Sequence, residues 1–350
     1  MIDSLYEKAL IKKDNINARI TNDFNNPQFN PSKFWRNHQL KEDKSELTIC
    51  AGDGSINKKN FMGFIFYVID AECLIYNKKL HTIESSELDI IQHHHYVDDR
   101  LRNYMGIFEV KNALNAFIKY DIDIFLFDGS ILGNLIRPFP LEKKLTNNVK
   151  DEIKSKYLPE LEKKLKQELE HSIVRITSSS FKDIKKTETM IYLENIENLM
   201  IISELINKKS VVAISKTSTS TEYFKSEIPD IAIFDRYSKK EGYSTPVYIK
   251  ISADDKKRDF PIKNDFFRNL TFTIFYARLE DYKNILKFEL PYFATEDKIK
   301  DILKIIKNKS AEGYPLLLKK AHNNVIIRKV DIERLSKIIG FMEKTGREML

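Results

Sequence analysis

Cysteine is scarce in this 350-residue chain: only Cys50 and Cys73 occur, each inside an apolar run. Two such thiols make neither a disulfide framework nor a cysteine-based zinc site, so the expectation is a pair of reduced, buried side chains. Long hydrophobic runs are missing as well. No apolar stretch approaches the roughly 20 residues that cross a bilayer. The N-terminal sequence MIDSLYEKALIKKDN lacks the apolar core of a signal peptide. A soluble, cytoplasmic protein is expected.

What remains is a folded composition: 42% hydrophobic and 31% charged residues, with 22 Phe and 16 Tyr. The length allows one large domain or two. A formal net charge of +7 is compatible with a polyanionic partner without requiring one.

Residues 1 to about 44 read as a short helix and a polar, Asn-rich approach segment. Strand-like runs follow at 47–55 and 63–76, with turn residues Asn57 to Asn60 between them suggesting a hairpin. A third extended piece is expected near 79–85. From Ser86 to Tyr120 the period becomes helical, with Leu101, Met105 and Phe108 at i, i+4 and i+7 and Leu114 and Phe117 continuing the face. DIDIFLFDGS at 121–130 reads as a buried strand. Residues 141–208 form a mainly helical insertion, interrupted near Pro159 and lacking the Gly and Ser runs of a linker. Further strands are expected at 211–218, 243–252 and 270–279, and helices near 296–308, 314–322 and from 331. The fold class is α/β, a mixed sheet flanked by helices, taken as one domain over residues 1–350.

The tripeptide Asp-Gly-Ser occurs twice, at Asp53 and Asp128, each time after an apolar strand. Glycine lets the backbone turn at once, which would leave both carboxylates exposed at strand ends. If the strands are neighbours, the carboxylates converge at one sheet edge. Hard divalent cations take such oxygen ligands, and a pair of them can activate water against a phosphodiester. Asp-Gly is also an ordinary turn. Glu109 adds a third acid on the row Met105, Glu109, Ala113, Phe117, where a charge is costly unless paired or bound to metal. A Lys or Arg partner, or a place at the edge of the stripe, would serve equally. The order strand-Asp, helix-Glu, strand-Asp matches the acidic centre of ribonuclease H-like nucleases.

Lys216 closes the strand VVAIS, where a cation can neutralise charge on a phosphate or simply face solvent. The run His93, His94, His95 places adjacent side chains in different directions and makes a poor zinc site. The Lys-rich stretch from Lys143 to Lys166 is nearly balanced by Glu and reads as a solvated helical face.

Five segments together resemble the NurA nuclease family: AGDGS at 51–55, FEVKNAL at 108–114, FDGSIL at 127–132, SK at 215–216 and GYPLLLKKAHNNV at 313–325. The resemblance covers most of the chain in order. It implies a ribonuclease H-like fold, a homodimer, and manganese-dependent cleavage of DNA ends and single strands (magnesium being the other candidate cation). It further implies end resection beside the hexameric translocase HerA. By position it makes Asp53, Glu109, Asp128 and His322 metal ligands and adds Tyr314 to the catalytic set, with Lys216 close by. Pro315 suits a first helical position, and Tyr314 and His322, eight residues apart, could share one side of that helix. A lone His at a helix end is also a common cap-region residue. Two rivals remain. A kinase-type ATPase would need a glycine-rich adenosine loop, against only 10 glycines in the chain and few beyond residue 141. A non-catalytic DNA-binding assembly subunit would be expected to have lost the acidic trio.

Overall fold

The computed structural model describes residues 3–24, 29–40, 46–137, 139, 141, 144–251 and 260–341. Its strands are β1 (Trp35–Asn37), β2 (Ile49–Asn60), β3 (Ile65–Tyr76), β4 (Leu80–Ile91), β5 (Ile124–Asp128), β6 (Val211–Ser215), β7 (Gly242–Ser244), β8 (Val247–Lys250), β9 (Thr271–Arg278) and β10 (Leu286–Leu290), with a small ladder of β11 (Ser310–Ala311) and β12 (Tyr314–Pro315). The helices are α1 (Asp3–Phe24), α2 (Val97–Lys119), α3 (Ile131–Ile136), α4 (Asn147–Glu152), α5 (Leu158–Glu170), α6 (Thr187–Ile206), α7 (Asp230–Tyr237), α8 (Asn264–Asn269), α9 (Glu296–Asn308), α10 (Leu316–Val325) and α11 (Lys329–Ile339).

One mixed sheet runs in the order β1-β7-β9-β10-β6-β5-β2-β3-β4, with β8 also pairing β9. β2, β3 and β4 form an antiparallel meander, while β5 and β6 lie parallel to β2. This is the expected ribonuclease H-like sheet flanked by helices. Strands β5 and β6 are short and apolar because both faces are covered. On one face Cys50, Phe125 and Phe127 pack with Leu101, Ile107 and Phe108 of α2 and Leu193 and Ile196 of α6. On the other, Ile49, Ala51, Leu126 and Ile214 meet Ile299, Ile302 and Ile306 of α9 and Leu318 of α10.

Several boundaries differ from the sequence expectation. Asn57–Asn60 are not a turn; they pair with Val68–Ile65, and the chain reverses where Phe61 N donates to Phe64 O. Phe61, Phe66 and Val68 pack with Ile332 of α11, and that cluster extends both strands. β4 runs on to Ile91, so the helix starts at Val97 rather than Ser86. Its polar residues are largely exposed, as an edge strand tolerates, and their lack of alternation let Ser86–Ile91 read as the start of the helix. α1 is 22 residues long rather than short. The segment 243–252 splits into β7 and β8 around Pro246, which has no N–H for a ladder. The interruption expected near Pro159 takes the form of a π-helical stretch at Ile153–Tyr157, after which Pro159 stands in the first turn of α5. β10 was not expected at all. Lys143 lies outside the described residues.

Candidate metal centre

Asp53 is not at a strand end. β2 continues past it to Asn60, and Asp53 pairs with Glu72 of β3 in mid-ladder. The first Asp-Gly-Ser therefore makes no turn, and Asp53 is largely buried rather than exposed. Gly54 serves another purpose: a Cβ there would stand 3.1 Å from Met105 Cγ and 3.5 Å from Glu109 Cβ. It lets α2 press against the strand beside the acid. The second motif does turn. Gly129 adopts φ +111°, a region that favours glycine, and Ser130 then caps α3 by accepting from Gly133 N. β5 ends at Asp128, whereas its parallel neighbour β2 carries on. The register Gly52↔Phe127 brings Asp53 and Asp128 side by side at that step in the sheet.

From the C-terminal side, α10 brings His322, whose Nδ1 is 2.7 Å from Asp53 Oδ2. Ligand atoms of Asp53, Asp128 and His322 all lie within 4.8 Å of one another, the geometry of a potential cation site. Lys216 Nζ sits 3.2 Å from Asp128 Oδ2 and 4.8 Å from the centre of the Tyr314 ring. The Tyr314 hydroxyl donates to Asp128 Oδ2 at 3.5 Å. Tyr314 belongs to β12 and Pro315 caps α10, so the pair reaches the site from a bridge and a helix rather than from one helix.

Glu109 stands slightly apart. It does not join the close group of three, yet Asp53 and Asp128 both act on it. Its side chain is 5% exposed, and its Oε1 has no hydrogen-bond partner. Burial first, then Asp53, Cys73 and Asp128, raise its carboxyl well above the ordinary value. Burial and Asp128 also raise Asp53, against the opposing pull of His322 and the Gly54 N–H. Burial, Asp128 and Asp53 push the Tyr314 phenol up, so it stays protonated. An orphaned buried carboxylate oxygen beside two mutually repelling aspartates is what a site built for a divalent cation looks like without its charge. The residues present fit such an ion.

Glu289 and Asn324, with their partners Lys287 and Glu72, escaped the sequence reading. Glu289 of β10 accepts from Ser130 Oγ (2.6 Å), Leu132 N (3.0 Å) and Lys287 Nζ (2.8 Å), and so holds the turn after Asp128. Asn324 donates to Glu72 beside Asp53. The polar alternation of LKFEL was the one available signal for β10. The histidine run lies between β4 and α2, with His93 bound to the Phe61 carbonyl and His94 to the Tyr96 N–H.

Fold and site together define a ribonuclease H-like protein with an acidic, histidine-flanked group at the step between β2 and β5 that could hold a cation. The family comparison narrows this. A match to the NurA domain spans residues 47–327, and the chain belongs to that family. It is 31% identical over 329 residues to the "Probable DNA double-strand break repair nuclease NurA" of Methanocaldococcus jannaschii, covering 88% of this chain and 82% of that one. The crystal structure of the NurA nuclease from Sulfolobus solfataricus superposes with a TM-score of 0.77 at 23% identity, covering 97% of each chain. A structure of NurA bound to dAMP and manganese matches at a TM-score of 0.63 and 18% identity, over 99% of this chain and 98% of that one.

Proposed function

We propose that the chain is a metal-dependent DNA nuclease acting in double-strand-break repair, cutting DNA ends and single strands during end resection. The observation that carries this reading is the convergence of Asp53, Asp128 and His322 within 4.8 Å beside the unpartnered Glu109 carboxylate. The name of the M. jannaschii relative and the manganese and dAMP of a structural relative support it.

Asp53, Asp128 and His322 would hold manganese, or magnesium in its place, with Glu109 contributing from α2. When bound, the cation supplies an activated water and neutralises charge on the phosphodiester. Lys216 places a second positive charge at the same edge, suited to a phosphate oxygen. Tyr314, held protonated, donates a hydrogen bond and orients that phosphate instead of attacking it. His322 Nδ1 shares a hydrogen bond with Asp53 Oδ2 and so orients that carboxylate. The reading extends to a single nuclease domain with residues 141–208 as its helical insertion, a homodimer, a HerA-type hexameric translocase as partner and a cytoplasmic location. The homodimer and the translocase rest on the motif order shared with the family, the insertion on its helical composition, and the location on the lack of long apolar runs. Among the described residues, no helix is long and apolar enough to cross a membrane.

The test is cleavage of labelled single- and double-stranded DNA with manganese, magnesium or EDTA, using the parent, Asp53→Ala, Glu109→Ala and Asp128→Ala. Metal-dependent cleavage that all three variants lose is expected. Cleavage persisting in EDTA, or three variants matching the parent, would overturn the reading.

A further inference from the structure

Helix α10 carries His322 to the acidic centre, yet little apolar packing sets the pose of that helix. Its buried stripe is Leu318, Ala321 and Val325, the middle one an alanine. The His322 side chain is 47% exposed, so its neighbours do not hold the ring against Asp53. The helix must present it. Polar contacts to the β2–β3 ladder fix the helix instead. Asn57 Nδ2 donates to Ile327 O at 2.9 Å, just past the end of α10. Asn324 Nδ2 donates to both oxygens of Glu72, at 2.8 and 3.2 Å. At 3.6 residues per turn, His322 and Asn324 fall on opposite flanks of the buried stripe. One flank reaches Asp53 on β2 and the other Glu72 on β3. The helix straddles two neighbouring strands, and losing either contact lets it roll.

Glu72 is a costly residue to keep there. It stands directly opposite Asp53 in the antiparallel ladder, so the two side chains share a face. Like charges so placed are destabilising, and Glu72 is buried as well. An apolar side chain would fill the place more favourably if sealing the sheet were its only role. Its hydrogen bonds come from Asn324, while Lys320 acts on it without one. A neutral amide suits this duty. It satisfies a buried carboxylate without bringing a positive charge beside a group that would hold a cation.

We propose that Asn324 and Glu72 are positioning residues of the metal centre: their hydrogen bond seats α10 on β3 and so sets His322 against Asp53 before a cation arrives. The inference rests on the metal-dependent reading above and adds to it two residues that act through His322.

The probe is manganese alone, titrated into the DNA-free protein and followed by the paramagnetic resonance signal of the free ion. Melting temperatures in EDTA are read first, so that every titration is run below all unfolding transitions. Asn324→Ala should weaken manganese binding about 10- to 100-fold, the usual cost of losing a partner behind a metal ligand. His322→Ala should weaken it as well. Adding Asn324→Ala to His322→Ala should cost no more than about twofold further, because the residue it acts through is already gone. Asn324→Asp tests the sign. It keeps the shape of the side chain but faces Glu72 with a carboxylate in place of a donor. Its added negative charge would by itself tighten a nearby cation. Unseating of α10 should outweigh that charge and weaken binding about tenfold or more. Parent affinity in Asn324→Ala, a full further loss in the double variant, or tighter binding by Asn324→Asp would overturn the proposal. Failure of the metal-dependent reading would look different: Asp53→Ala would then bind manganese as tightly as the parent, whatever stands at position 324.

Discussion

Helix α2 buries charge in two places, and the two are solved in opposite ways. Toward α5 and α6, Arg100 holds Glu194 through Nε (2.8 Å) and Nη2 (2.6 Å), and the Tyr104 hydroxyl donates to the same carboxylate. Lys111, fully buried, lies 2.9 Å from Glu197, 2.7 Å from Thr177 Oγ1 and 2.6 Å from the Arg175 carbonyl. Glu197 also takes the N–H groups of Thr177 and Ser178. Two residues before Lys111, Glu109 is just as buried and has a bare oxygen. Burial drives both carboxyls up, yet Lys111 and Ser178 bring Glu197 below its ordinary value while Asp53 and Asp128 drive Glu109 further above. A buried acid with every partner present is fixing helices together. One with a bare oxygen, facing two more acids, fits a cation rather than a helix contact.

This contrast can be broken at either end. The largest effect expected is on cleavage: Glu109→Gln or Asp53→Asn should lower the rate constant about 10²–10³-fold, read in a gel assay at saturating manganese. Lys111→Met should lose about 3–5 kcal/mol of stability in urea melts, because Glu197 would be left as a buried charge without its cation. Glu109→Gln should do the reverse in EDTA, raising stability by about 1 kcal/mol, since it removes a repelling carboxyl and leaves no new charge. An equal loss of stability in both variants would erase the distinction.

The pH dependence sharpens it further. Glu109 is raised above 4.5, so in EDTA its contribution to stability is full below that value and is lost as pH rises through the shifted one. Glu197 is lowered, so its contribution is present above 4.5 and is lost as pH falls through its folded value. Glu109→Gln should flatten the alkaline limb of a stability-versus-pH curve, and Glu197→Gln the acid limb. Urea melts across the pH range check both.

Much of the acidic centre was legible because it is local. Asp53 and Asp128 advertise themselves in repeated tripeptides, and Glu109 breaks an apolar row on its own helix. The structural duty of each tripeptide was not legible. Nothing in Asp-Gly-Ser says whether its glycine turns a chain, as Gly129 does, or admits a neighbouring helix, as Gly54 does, because that depends on Met105 half a hundred residues away. Partners were equally hidden: Arg100 finds Glu194 across 94 residues, so paired and unpaired acids look alike in sequence. β10 escaped for a related reason, as Lys287 and Glu289 neutralise each other inside a strand that their charges disguise. Tyr314 and His322 came from motif resemblance, not from any period.

The most direct measurement is the manganese-induced shift in melting temperature of the parent and Glu109→Gln. A cation that binds only the folded form raises stability in proportion to the logarithm of its concentration over its dissociation constant. The parent should melt low in EDTA and rise with manganese, and Glu109→Gln should melt higher in EDTA and rise little or not at all. A variant that melts lower than the parent in EDTA yet shows the parent's full manganese shift would contradict the claim that Glu109 is left unpaired for a metal.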